Sequence, residues 1–180
     1  MTKLKVSDIK KQLKTYDQKM LIQLITELYK LNPEVQQYMA IEINGDDAVR
    51  ISLDNAKKEI INEFFPNKGH GKMRLSAAKK AISDFKKLSN DYVRLVDLML
   101  YYVEIGTRFT NTYGDIDSRF YSSMGSMFDQ VSQACDENEE LFTTFADRLE
   151  AVVSESEGIG WGYSDYLFEC YYSIQWVESE

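Results

Sequence analysis

Histidine occurs once in this chain, cysteine twice and proline twice, and glycine supplies only nine of its 180 residues. The lone His70 and the widely separated Cys135 and Cys170 leave no Cys/His zinc set and no Ser-His or Cys-His catalytic pair. Turn residues this sparse also exclude an all-β sandwich or barrel. No uncharged apolar run approaches the roughly 18 residues that a membrane helix needs. The start, Met-Thr-Lys-Leu-Lys, enters polar helical sequence without the apolar segment of a signal peptide. The expectation is a cytoplasmic protein with reduced thiols and no membrane span.

Basic residues are scarce in one half only. Residues 1–87 hold 17 Lys/Arg against 11 Asp/Glu, whereas residues 88–180 hold 4 against 18. An acidic chain divided in this way is no generic polyanion binder, and the separation of sign favours a protein partner or self-association. What the sequence does hold is core material: 44% hydrophobic residues, including 12 Tyr and 9 Phe, beside 28% charged ones. That balance belongs to a folded protein rather than to a disordered or disulfide-stapled one, and one domain over 1–180 is the default reading at this length.

Helical periodicity runs through the whole chain. Ser7 is placed to cap a short helix to Leu13, and Asp17 a second in which Met20, Leu21, Leu24, Ile25, Leu28 and Leu31 follow i, i+3, i+4 spacing. Asn32-Pro33 reads as an N-cap with proline at the first helical position, and Asn44-Gly45 as the stop. A fourth helix spans Ala48 to Phe65; Pro66 and the polar, glycine-bearing stretch 67–72 form the best internal boundary. Ser76 precedes a helix with Ala77, Ala81, Ile82, Phe85 and Leu88 on one face, and Asn90 is placed to cap the next.

From Tyr92 to Ile105 only Arg94, Asp97 and Glu104 break an apolar series, so this segment is expected to be the enclosed central helix. Further helices carry Phe120 to Val131, Glu139 to Glu155, and Tyr163 to Val177. The fold class is therefore all-α, with about eight or nine helices stacked as antiparallel hairpins in a compact bundle or a short solenoid-like array.

Two groups of residues are candidates for chemistry. Asp97, Tyr101, Glu104, Arg108, Asn111 and Asp115 advance by four and three residues and fall within roughly 80° of one another on a helix. Enclosed charges are costly unless paired, so this stripe is either an internal ion-pair network, with Glu104 and Arg108 paired at i, i+4, or the lining of a polar cleft. The network is the leading reading, a ligand or catalytic cleft the second. A carboxylate-held Mg²⁺ or Mn²⁺ is third, and no Glu-x-x-His pair supports a di-iron bundle. No metal and no cofactor is expected.

The second group lies in residues 57–87, where nine basic residues face the three acids Glu59, Glu63 and Asp84. Lys68, His70, Lys72, Arg74, Lys79 and Lys80 are its anion-binding candidates, with Gly69 and Gly71 allowing close backbone approach. A solvated lysine-rich face is the plain reading; weak nucleic-acid contact and docking to an acidic protein surface are the alternatives. Gly158, Gly160 and Gly162 follow a helix and lack a Lys-Ser/Thr ending, so they read as a helix connection rather than a phosphate loop. Lys3, Lys5, Lys10, Lys11, Lys14 and Lys19 around the first two helices only faintly suggest a small DNA-binding helical module.

Three segments carry a likeness. Arg74–Ser76 with Ala78–Lys87, then Phe109–Asp117, then Gly158–Leu167 resemble a family of uncharacterised bacterial all-helical proteins, a domain of unknown function. The resemblance implies a helical bacterial cytoplasmic protein and transfers no activity and no catalytic residue. The residues themselves favour a non-enzymatic interaction or scaffold protein that binds another protein or itself through a charge-separated, aromatic-rich surface. A nucleic-acid-binding accessory protein and an enzyme at Asp97/Glu104/Arg108 are the alternatives.

Overall fold

Five side chains mark helix starts by accepting a backbone N–H of the first turn: Asp17 from Met20, Asn32 from Glu34, Asp91 from Arg94, Asp117 from Phe120 and Asn138 from Leu141. The computed structural model describes residues 4–177, so Lys3 and the final three residues lie outside the described ones. Among the described residues there are nine helices and no strand: α1 (Val6–Leu13), α2 (Gln18–Leu31), α3 (Pro33–Asn44), α4 (Asp46–Phe64), α5 (Leu75–Leu88), α6 (Tyr92–Tyr113), α7 (Ser118–Asp136), α8 (Glu139–Glu155) and α9 (Tyr163–Tyr172). The protein is all-α. None of these helices is long and apolar enough to cross a membrane.

Some expected boundaries shift. Ser7 and Ser76 fall inside helices that begin at Val6 and Leu75. Asp91, not Asn90, caps α6, because its carboxylate reaches the N–H of Arg94 at 2.9 Å. The last helix ends at Tyr172, and Ile174 is buried from the turn that follows it rather than from helix.

The chain divides into two units, residues up to Ala48 and residues from Val49. In the first, α2 packs against α3, and the Gln36 amide donates to the Tyr29 carbonyl at 2.9 Å. No residue of α1, α2 or α3 is buried. The proposed boundary at 67–72 instead lies inside the second unit. There the Met73 N–H donates to the Glu63 carbonyl at 2.8 Å, and Gly71 sits so close that a Cβ on it would collide with the Phe64 carbonyl oxygen.

The second unit is built around α6, which buries eleven residues from Leu95 to Thr110 and packs against α5, α7 and α8. A short turn after Gly114 returns the chain as α7, whose neighbours include α8 and α9. Two glycines set these approaches. A Cβ on Gly106 would meet the Met124 sulfur, and one on Gly125 would meet the Tyr166 ring at 2.8 Å. Phe64, at the end of α4, is fully enclosed among Tyr102, Phe109 and Phe120, with ring centres 5.7 to 6.4 Å away.

The loop is fastened to α4 by charge. Glu63, buried at the end of α4, accepts from Arg74 Nε at 3.0 Å, Nη2 at 2.6 Å and backbone N at 3.3 Å. Those hydrogen bonds hold its carboxyl below the usual glutamate range against the opposing effect of burial. A depressed folded value means that the stabilisation is complete above the unfolded value of about 4.3 and is lost as pH falls through the lower folded value. Glu63→Gln is therefore expected to reduce stability at neutral pH and to flatten the acid limb of the stability–pH curve. Urea midpoints at a series of pH values measure this, and parallel acid limbs in the two proteins would contradict it.

Candidate functional site

The polar stripe of α6 separates into two parts. At its N-terminal end Asp97 bridges two cations, accepting from Lys57 Nζ of α4 at 2.7 Å and from Arg148 Nη1 of α8 at 2.6 Å. Arg148 in turn grips Glu104 with Nε at 2.7 Å and Nη2 at 2.9 Å. The four charges alternate in sign across three helices and are partly shielded, with side-chain exposures of 17 to 34%. Burial opposes the Arg148 charge, but the hydrogen bonds to Glu104 and Asp97 outweigh it and hold its pKa above the ordinary arginine value. The Lys57 ammonium also lies 5.3 Å from the centre of the Tyr101 ring.

Arg108 is not the partner of Glu104. It is exposed, and its guanidinium lies 4.4 Å from the Phe65 ring centre. The i, i+4 pairing is displaced because α8 brings a bidentate fork to Glu104 from across the helix interface, a geometry that a neighbour on the same helix cannot match. Sequence reasoning missed both Lys57 and Arg148. One signal was available: Arg148 is among only four basic residues after position 87, and it stands next to Leu149 on a helix that buries Leu141, Phe145, Leu149 and Val152.

The C-terminal part of the stripe serves helix ends. Asn111 donates to the Glu155 carbonyl in the last turn of α8 at 2.7 Å. Asp115 accepts from the Tyr121 hydroxyl at 3.4 Å, and that hydroxyl also pairs with Thr110 at 2.7 Å. A second buried hydroxyl pair, Thr107 with Tyr163 at 2.8 Å, ties α6 to α9. Burial raises the Tyr163 phenol well above its ordinary value and pushes Tyr102, bonded to Ser123, up to about 12. These phenols stay protonated in the neutral range and act as fixed hydrogen-bonding groups. Among the described residues no three His, Cys, Asp or Glu side chains gather closely enough to hold a metal ion.

Ion pairs occupy part of the basic segment. Lys68, His70 and Lys72 stand exposed on the loop, whereas Arg74 is held by Glu63 and Lys80 by Asp84, which Lys87 also contacts. Lys79 lines a cavity of about 440 Å³ on one flank of α7, together with Arg119, Ser118, Ser122 and Ser126. The same three serines line a second cavity of about 410 Å³ on the other flank, walled by Tyr121, Trp161, Tyr163 and Tyr166. Both thiols are buried and unpaired, and burial pushes each up to about 11, far from the reactive thiolate range.

Gly158 to Gly162 connects α8 to α9, as its spacing suggested, with Gly158 and Gly162 at positive φ. Trp161 shares that backbone region at φ +63°, is 61% exposed and stacks on Tyr121 with ring centres 6.3 Å apart. No curated protein and no solved structure shows significant similarity to this chain. The all-helical architecture and the segments that carried the likeness nevertheless fall within one continuous match over residues 4–172, and on that match the chain belongs to the family of unknown function DUF6155.

Proposed function

We propose that the protein is a non-enzymatic helical interaction protein that associates with a second copy of itself through its amino-terminal helices. The observation that carries this reading is the face of α2. Met20, Ile25, Leu28 and Leu31 lie within roughly 140° of one another on the helix and are 45 to 80% exposed. An amphipathic stripe of this width normally faces a core, and contiguous exposed apolar surface marks a site of association.

Charge supports a second copy as the occupant. Lys10, Lys11 and Lys14 at the end of α1 and Lys19 at the start of α2 are exposed cations on the same unit as the stripe. Residues 88–180 are strongly acidic, and α9 there exposes Tyr166, Phe168 and Tyr172 among Asp165 and Glu169. An apolar face accompanied by exposed cations and an aromatic face with an acidic border complement each other.

Sedimentation equilibrium over a range of protein concentrations tests the proposal. The expected result is a concentration-dependent dimer that weakens with added salt and dissociates in the Ile25→Glu/Leu28→Glu double variant. Both positions are exposed in the protomer, so helicity by circular dichroism is expected to be unchanged. A monomer at every concentration, or a dimer indifferent to the double variant, overturns the proposal.

A further inference from the structure

The two cavities flanking α7 share one row of serines and differ in chemistry on either side of it. Ser118, Ser122 and Ser126 recur every four residues, so they form a single low ridge about 12 Å long. No hydroxyl of the three bonds to another group of the described protein. On the α9 side the wall is aromatic and rigidly mounted. Tyr121 and Tyr163 are buried and fixed by Thr110 and Thr107, and Tyr166 reaches over α7 because Gly125 leaves room for its ring. On the α5 side stand Lys79 and Arg119.

Two features set this place apart from an ordinary wet surface. The first is Trp161, which keeps a large indole exposed on a backbone conformation that side chains other than glycine rarely adopt. Glycine occupies the positions on either side of it and would fit its backbone without strain. The second is Arg119. Of the four arginines after position 87, Arg94 is bound to Asp91, Arg148 to Asp97 and Glu104, and Arg108 lies over Phe65. Arg119 has no such partner among the described residues, and neither does Lys79 on the facing helix.

We infer that this cleft binds a small ligand consisting of a planar ring and a phosphate joined by a hydroxyl-bearing spacer, the chemistry of a nucleoside monophosphate. The ring stacks beside Trp161 and Tyr166, the spacer crosses the serine ridge, and the phosphate meets Lys79 and Arg119. Each part answers a group that meets solvent: the Trp161 and Tyr166 rings, and the three serine hydroxyls and the Lys79 and Arg119 cations that have no partner in the described protein. The combined volume, about 410 and 440 Å³ in two adjoining parts, suits a ligand of that size. The cleft shares Tyr166 with the α9 face assigned above to the α2 stripe, but monophosphate binding is read on the protomer and does not need the dimer.

Adenosine monophosphate, adenosine and inorganic phosphate are the probes, titrated by calorimetry and by fluorescence in a Trp176→Phe background, where Trp161 is the only tryptophan. The monophosphate is expected to bind saturably with a change in Trp161 emission. Lys79→Ala/Arg119→Ala is expected to weaken it by about tenfold or more while leaving adenosine unchanged. Trp161→Gly, which removes the ring and relieves the backbone, is expected to weaken both nucleoside probes in calorimetry with no loss of thermal stability. No saturable monophosphate binding overturns the proposal. So does phosphate binding as tightly as the monophosphate, or monophosphate binding indifferent to either variant.

Discussion

Replacing Arg148 by methionine is expected to lower unfolding stability by about 2 to 4 kcal/mol, a value between the roughly 0 to 1 kcal/mol of an exposed ion pair and the 3 to 5 kcal/mol of a fully buried one. Asp97 and Glu104 are only 17 and 27% exposed, so removing the guanidinium leaves one carboxylate without a cation and the other with Lys57 alone. Lysine at the same position keeps the charge but loses the fork, and an intermediate loss is expected. Arg108→Met supplies the contrast. Its cation lies over an aromatic ring at the surface, a contact worth about 0.5 to 1 kcal/mol. Urea midpoints with an unchanged m-value give both numbers. Equal effects at 148 and 108 would mean that the four-charge network contributes no more than a surface pair.

Phe64→Ala is expected to cost about 3 to 5 kcal/mol, because it removes a fully enclosed ring from close-packed surroundings that collapse only in part. The ring is 0% exposed and touches Tyr102, Phe109 and Phe120 edge-on, so aromatic pairing is lost along with area. Phe64→Leu retains most of the volume and is expected to lose less than half as much. A loss below about 1 kcal/mol for the alanine variant would show that the end of α4 is not part of the core around α6. Because Phe64 directly follows Glu63, the acid-limb measurement on Glu63→Gln reports on the same junction by an independent route.

The helices themselves were legible in the sequence because their determinants are local. Asp17 and Asn32 with Pro33 reach backbone N–H groups two or three residues away, and the apolar positions of α6 repeat with the period of the helix. The enclosed character of α6 followed from composition alone, since a segment apolar on nearly every side has nowhere else to go. Boundaries missed by a residue, as at Asn90 and Asp91, reflect two adjacent residues of similar capping ability that only the chain's path separates.

Which charges meet was a different matter. Stripe geometry put Asp97, Glu104 and Arg108 on one face of α6, but it contained no information about the register of α8. The cation that arrived from there, Arg148, took both carboxylates because a bidentate fork outcompetes a flexible neighbour on the same helix. Likewise 67–72 has every local mark of a linker, yet Arg74, Met73 and Gly71 fasten it to the end of α4, and the chain divides at Ala48 instead. The cleft beside α7 needs Lys79, Arg119 and Trp161 from three separate segments. Helix formation depends on neighbours within about four residues and so is written along the chain. Pairing, domain division and cleft formation depend on contacts between distant positions, and only the packing of the helices settles those.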